Sequence, residues 1–152
     1  TNVGDFDGKS TFGTKEAGGD LNQAAHIINN AAPGFLVWSG NDDQTYPIMA
    51  LGGYGIVSVA SHLIGKQIKA MMGMTLEGDL EKAAVEHRRL LPLFQGLFLV
   101  ANPIPVKYAV NKADFPVGEP RLPLVPPDAE IASQIDTLMK DYQVDLPSPA
   151  SI

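Results

Sequence analysis

The chain runs to 152 residues, 45% of them hydrophobic and 18% charged, with a formal net charge of −6 and no cysteine. That length predicts a single domain, and that balance an ordinary globular chain. An acidic chain without a basic run argues against nucleic acid as a partner, no apolar stretch reaches the roughly 18 residues of a membrane span, and the lack of cysteine rules out disulfide and thiol chemistry, which fits a reducing, cytoplasmic setting.

Residues 1–10 are polar and glycine-rich and read as a loop or ragged end. They lack the basic-then-apolar pattern of a secretory signal, and a chain that opens on Thr1 is expected to be a processed product or a fragment. Gly4 to Ser10 approaches a phosphate loop, but the spacing between Gly4 and Gly8 is one residue short of the motif. The β-type run Ser10-Thr11-Phe12 then leads into Gly13-Thr14-Lys15-Glu16-Ala17-Gly18-Gly19-Asp20. That order places Lys15 at the C-terminal end of a strand, just before a loop. In an α/β barrel, chemistry sits at this end. An amine desolvated in a closed cavity is held neutral there and attacks a ketone to form a Schiff base. The plainer reading is a surface lysine in a polar loop.

Asp20 is placed to cap a helix, with Gln23 reaching back to it, and Leu21, Ala24, Ala25 and Ile28 form the apolar face. His26 lies beside that face and reads as a boundary residue rather than a ligand. Asn29-Asn30 and Pro33-Gly34 end the helix. Phe35 to Ser39 is a nearly continuous apolar strand, as a strand covered on both faces should be. In the loop after it, Asp42 and Asp43 lack the further ligands a metal needs, and are expected to cap a short helix from Gln44 to Leu51. Gly55 to Val59 reads as a third strand, and Ser61 starts a helix to about Leu76 with Leu63, Ile64, Ile68, Met71, Met72 and Leu76 facing the core. Its methionines fill gaps rather than bind metal, and His62 takes a supporting role at the rim.

Strand and helix thus alternate at roughly 20–24-residue spacing, the period of a parallel α/β fold. Three strands cannot close a barrel that needs eight, so one edge of the sheet is left open. The expected fold is the C-terminal part of a (β/α)8 barrel, residues 1–77, followed by a C-terminal helical domain, residues 78–152. In the second segment Asp79 caps a long helix that Pro92 should kink, and another helix follows Asn102-Pro103. A proline-rich connector covers 116–127, Asp128 caps a last helix, and the end from Leu146 frays.

Four stretches carry a family resemblance: Gly13 to Asp20, Trp38-Ser39-Gly40-Asn41-Asp42, Gly52-Gly53-Tyr54-Gly55-Ile56-Val57-Ser58-Val59, and Asn102-Pro103-Ile104-Pro105-Val106-Lys107. In order and spacing they resemble the dihydrodipicolinate synthase / N-acetylneuraminate lyase family of pyruvate-dependent aldolases, over about residues 13 to 143. The last stretch looks most like the dihydrodipicolinate synthase branch. The resemblance implies a Schiff-base lyase with Lys15 as nucleophile and Gly40 and Val57 in the substrate pocket. Its substrates would be pyruvate and L-aspartate 4-semialdehyde, in lysine and diaminopimelate biosynthesis. It further implies a homotetramer and no metal or organic cofactor.

The sequence departs from the family before the lysine strand, at Thr14, where an aliphatic residue is common, and at Val57, where isoleucine is frequent. The family's proton-relay tyrosines and threonine, and its carboxylate-binding threonine pair and arginine, have no counterpart here; Tyr46, Tyr54 and Tyr108 match none of them. Two alternatives stay open. One is a sister aldolase acting on a sugar acid. The other is a non-catalytic half-barrel assembly module, which the native chain mass would distinguish.

Overall fold

Residues 12–146 are described in a computed structural model of the chain. Three short strands lie side by side, β1 (Gly13–Glu16), β2 (Leu36–Ser39) and β3 (Gly55–Ile56). They pair in parallel in the order β1-β2-β3. Parallel neighbours require a crossover, and each is a helix: α1 (Leu21–Asn30) between β1 and β2, and α2 (Thr45–Ala50) between β2 and β3. The helices α3 (Ser61–Leu76), α4 (Leu80–Gly96), α5 (Ile104–Lys112) and α6 (Ala129–Met139) follow.

Alternation along β2 separates the two faces of the sheet. Val37 and Ser39 are buried and turn one way, whereas Leu36 and Trp38 are half-buried and turn the other. Α1 and α2 pack on β2, and Ala24, Ile48 and Met49 are buried in that layer. The largest cluster lies beyond the strands. Leu63, Ile64, Ile68 and Met71 of α3 meet Leu90, Leu93 and Phe94 of α4, Val106 and Val110 of α5, and Ile135 of α6. That one cluster joins residues on both sides of position 78.

Capping accounts for several helix starts. Asp20 accepts from the Asn22 amide at 2.8 Å, Asp79 from the Lys82 amide at 3.3 Å, and Asp128 from the Ile131 amide at 2.9 Å. Elsewhere the structure departs from the sequence expectations. Ser10 and Thr11, like the stretch from Gly4, lie outside the described residues; Phe12 precedes β1, so Lys15 stands inside the strand as its third residue. Gln23 reaches Glu16 Oε2 at 3.4 Å rather than the helix cap. Asp42 and Asp43 fall within a 3₁₀ turn, Asp42–Gln44, and give the α2 start no side-chain cap.

Helix α4 runs through Pro92 from Leu80 to Gly96, with Leu90, Leu93 and Phe94 buried on either side of the proline. A departure from helical dihedrals falls in α3 instead, at Ile64 (φ −130°, ψ 37°). There Asp145 occupies the break: its amide donates to the Leu63 carbonyl at 2.8 Å, and its carboxylate accepts from the Lys66 amide at 2.8 Å. Backbone groups freed by the break are satisfied by a segment about 80 residues away in sequence.

Candidate active site

The parallel register sets the site. Lys15 pairs with Trp38, and Trp38 with Gly55, so one cross-strand row holds all three on the same face. The ladder continues past the strand ends: the Gly40 amide donates to the Glu16 carbonyl at 2.6 Å, and the Val57 amide to the Ser39 carbonyl at 2.9 Å. Gly40 is two residues beyond Trp38, and Val57 two beyond Gly55. The three sequence-chosen residues Lys15, Gly40 and Val57 therefore share one face at the C-terminal edge of the sheet. This is the mouth end of a parallel α/β sheet. The Lys15 side chain is exposed, and its amine has no hydrogen-bond or ion-pair partner among the described residues.

Gly40 makes room for the lysine. A methyl group added at Gly40 would lie 2.9 Å from Lys15 Cε, 2.5 Å from Ala17 Cβ and 3.0 Å from the Glu16 carbonyl oxygen. Part of the volume that a side chain would fill at position 40 thus belongs to the lysine.

Two buried carboxylates frame this edge, and neither was recognised as part of the site from sequence. Glu16 turns away from Lys15, is 8% exposed, and accepts from the Gly18 amide at 2.6 Å, which shapes the loop after β1. Gln44 Nε2 ties that loop to the next by donating to the Gly19 carbonyl at 2.8 Å. Asp42, 2% exposed, accepts from the Ser58 hydroxyl and from the Val59 and Ala60 amides at 3.0 and 3.1 Å. It thereby joins the loop after β2 to the start of α3, the helix that β3 feeds. Burial pushes its carboxyl above the ordinary value of 3.8, while the hydrogen bonds from Ser58, Ala60 and Val59 pull it down and the charge of Asp43 adds to the rise. A carboxylate just past the glycine at a strand's C-terminal end was the available signal; the sequence reading attached it to the wrong helix.

The remaining singled-out residues are engaged elsewhere. His26 is exposed on α1. His62 lines a cavity of about 420 Å³ with Pro103, Val106, Lys107 and Phe115, where Lys107 Nζ donates to the Glu119 carbonyl at 2.7 Å. Tyr46 donates to the Leu80 carbonyl at 3.3 Å and Tyr108 to Asp136 Oδ1 at 3.1 Å. Tyr54 packs edge-on against Trp38.

Comparison with known proteins gives the same picture for the chain as a whole. Residues 8–142 match the model of the dihydrodipicolinate synthetase family. A relative from Dehalococcoides mccartyi, named 4-hydroxy-tetrahydrodipicolinate synthase, is 51% identical over 135 residues, which are 89% of this chain and 46% of that protein. One of the same name from Heliobacterium modesticaldum is 46% identical over 131 residues, 86% of this chain and 44% of that protein. Among solved structures, dihydrodipicolinate synthase from Thermotoga maritima superposes with a TM-score of 0.83 at 39% identity, covering 86% of this chain and 45% of that one. The chain spans about half the length of the curated relatives it matches. The fold is thus part of the barrel of these enzymes, and by sequence and structure alike the chain belongs to the dihydrodipicolinate synthetase family.

Proposed function

We propose that this chain is the part of a 4-hydroxy-tetrahydrodipicolinate synthase that carries its nucleophile, Lys15, and that the protein condenses pyruvate with L-aspartate 4-semialdehyde. The observation that supports this best is the amine of Lys15, unpartnered among the described residues, at the mouth edge of three parallel strands, with Gly40 and Val57 on the same face. The amine adds to the carbonyl carbon of pyruvate, and loss of water leaves an iminium on Lys15. The iminium draws electrons from the methyl group, which loses a proton to give an enamine. The enamine carbon forms a carbon–carbon bond to the aldehyde carbon of the second substrate. The amino group of that substrate then displaces Lys15, closing the ring and restoring the free amine.

Gly40 leaves the backbone open beside the amine, and Val57 supplies apolar surface on the same face. Glu16 and Asp42 touch no reacting atom in this scheme; they hold the loops that frame it. Proton transfer and the binding of two carboxylates fall to groups beyond the described residues. Residues 78–152 act as a helical domain that packs against the barrel segment 1–77 and supports a homotetramer. The reaction is set in the cytoplasm. Among the described residues no helix is long and apolar enough to cross a membrane.

The test uses a closed eight-stranded barrel that contains this chain. It is supplied with pyruvate and either L-aspartate 4-semialdehyde or the sugar aldehyde of a sister aldolase. Consumption of the semialdehyde, abolished by Lys15→Ala, is expected. Turnover of the sugar aldehyde alone would move the protein to the sister activity. Turnover that survives in Lys15→Ala would remove the proposed nucleophile.

A further inference from the structure

Trp38 has a place in the sheet that the proposed reaction leaves unexplained. It stands in the same cross-strand row as Lys15 and Gly55, but its ring extends toward Gly13, away from the mouth. A methyl group built on Gly13, one same-face position below Lys15, would run into Cζ3 of the indole. One built on Gly55 would lie 3.6 Å from its Cδ1. The indole therefore reaches from β3 across to β1 beneath the lysine, and a glycine on each flanking strand clears the space it fills. Phe12 and Tyr54 brace it edge-on, with ring centroids 5.9 and 5.3 Å away at interplanar angles of 90° and 67°.

An oxo acid joined to Lys15 through its carbonyl carbon has two other substituents to place. Its carboxylate requires hydrogen-bond donors or water, which an open mouth admits and a packed interior does not. Its alkyl arm is directed to apolar surface, since burying a carboxylate there without partners is costly. The apolar surface on the Lys15 face is Val57 toward the mouth and the Trp38 indole toward the interior. The arm that points inward meets the braced indole.

We propose that Trp38 is a specificity-determining residue: its indole is the floor of the slot under Lys15 and limits the alkyl arm of the condensing oxo acid to a single methyl group. The proposal rests on the Schiff-base reading above. A pocket that holds or rejects one methylene discriminates by about ten- to two-hundred-fold, so truncating the floor should admit the next longer acid.

The closed-barrel protein is incubated with borohydride and either pyruvate or 2-oxobutanoate, and the adduct at Lys15 is quantified by peptide mass. In Trp38→Ala the yield with 2-oxobutanoate relative to pyruvate should rise about tenfold or more. Trp38→Leu should give a smaller rise and Trp38→Phe, the mildest truncation, the smallest. A thermal melt identifies the folded variants. A loss of packing alone would lower both yields together, leaving the ratio fixed. An unchanged ratio in the folded variants, with pyruvate still trapped at Lys15, overturns the floor and leaves the Schiff-base reading intact. Absence of any pyruvate adduct at Lys15 in the unsubstituted protein takes down that reading, and the floor with it.

Discussion

Gly40 is defined by what it lacks. Its missing Cβ would stand 2.9 Å from Lys15 Cε and 2.5 Å from Ala17 Cβ, so Gly40→Ala forces the lysine or its loop to move. Overpacking of this kind costs about 1–3 kcal/mol in stability, and a nucleophile displaced by about 1 Å loses on the order of 10²-fold in rate. Turnover of Gly40→Ala in the closed barrel should therefore fall far more than its melting temperature; unchanged turnover would show that the lysine does not need the space. His87 gives a second prediction at this scale. It is 8% exposed, packed at a tilt against Tyr46 and Phe94, and its Nδ1 has no hydrogen-bond partner among the described residues. Burial holds its pKa below the ordinary 6.5, against the opposing backbone hydrogen bond and charge of Asp43, with the charge of Arg88 adding to the depression. Well above 6.5 both folded and unfolded chains carry it neutral. As pH falls through 6.5 the unfolded chain takes up a proton first, so stability drops until the lower folded pKa is reached and then levels. Melting temperature measured from pH 8 to 5 should fall less steeply in His87→Phe; identical slopes would remove His87 as the cause. The place of Lys15 on a parallel strand was legible from sequence because its signal is local. The partnerless nitrogen of His87 was not, because Tyr46, Asp43 and Phe94 reach it only through packing.

The elements explain why the short strands hold their edge. Β3 is assigned only Gly55–Ile56, yet Val57 continues its ladder and Asp42 fixes the next three residues through Ser58, Val59 and Ala60. Asp42→Ala would leave two buried or half-buried amides and a hydroxyl without their acceptor. At roughly 1–3 kcal/mol for each unsatisfied buried group, a loss of about 3 kcal/mol or more is expected in denaturant melts. Loosening of the β3 end should also speed hydrogen exchange most at the Val57 to Ala60 amides, with protection lost there, and least at β1; full protection at those amides would show that another group anchors the loop. Sequence placed the three strands and the helices between them, since periodicity and capping residues are local. It misassigned the partner of Asp42 because that tie spans 16 residues and joins two loops. It expected an irregularity at Pro92; α4 continues through the proline, and a departure from helical dihedrals falls at Ile64, where Asp145 satisfies the freed groups.

At the scale of the molecule, helices α3 to α6 share one core beyond the three parallel strands, and around the strands Phe12, Tyr54 and Val57 are 75%, 58% and 48% exposed. Length and composition predicted a globular chain, and the four motifs carried the family; what they could not supply is the arrangement by which Gly13 and Gly55 make space for Trp38 below the lysine, because that depends on cross-strand register. All of these features converge on one lysine at the strand ends. The most direct measurement is to incubate the closed-barrel protein with pyruvate and borohydride, digest it, and map the modified lysine by mass. A single adduct on Lys15, absent from Lys15→Ala and not restored by Lys15→Arg, whose guanidinium stays protonated, is the expected result. An adduct on Lys66 or Lys107 with Lys15 unmodified would contradict it.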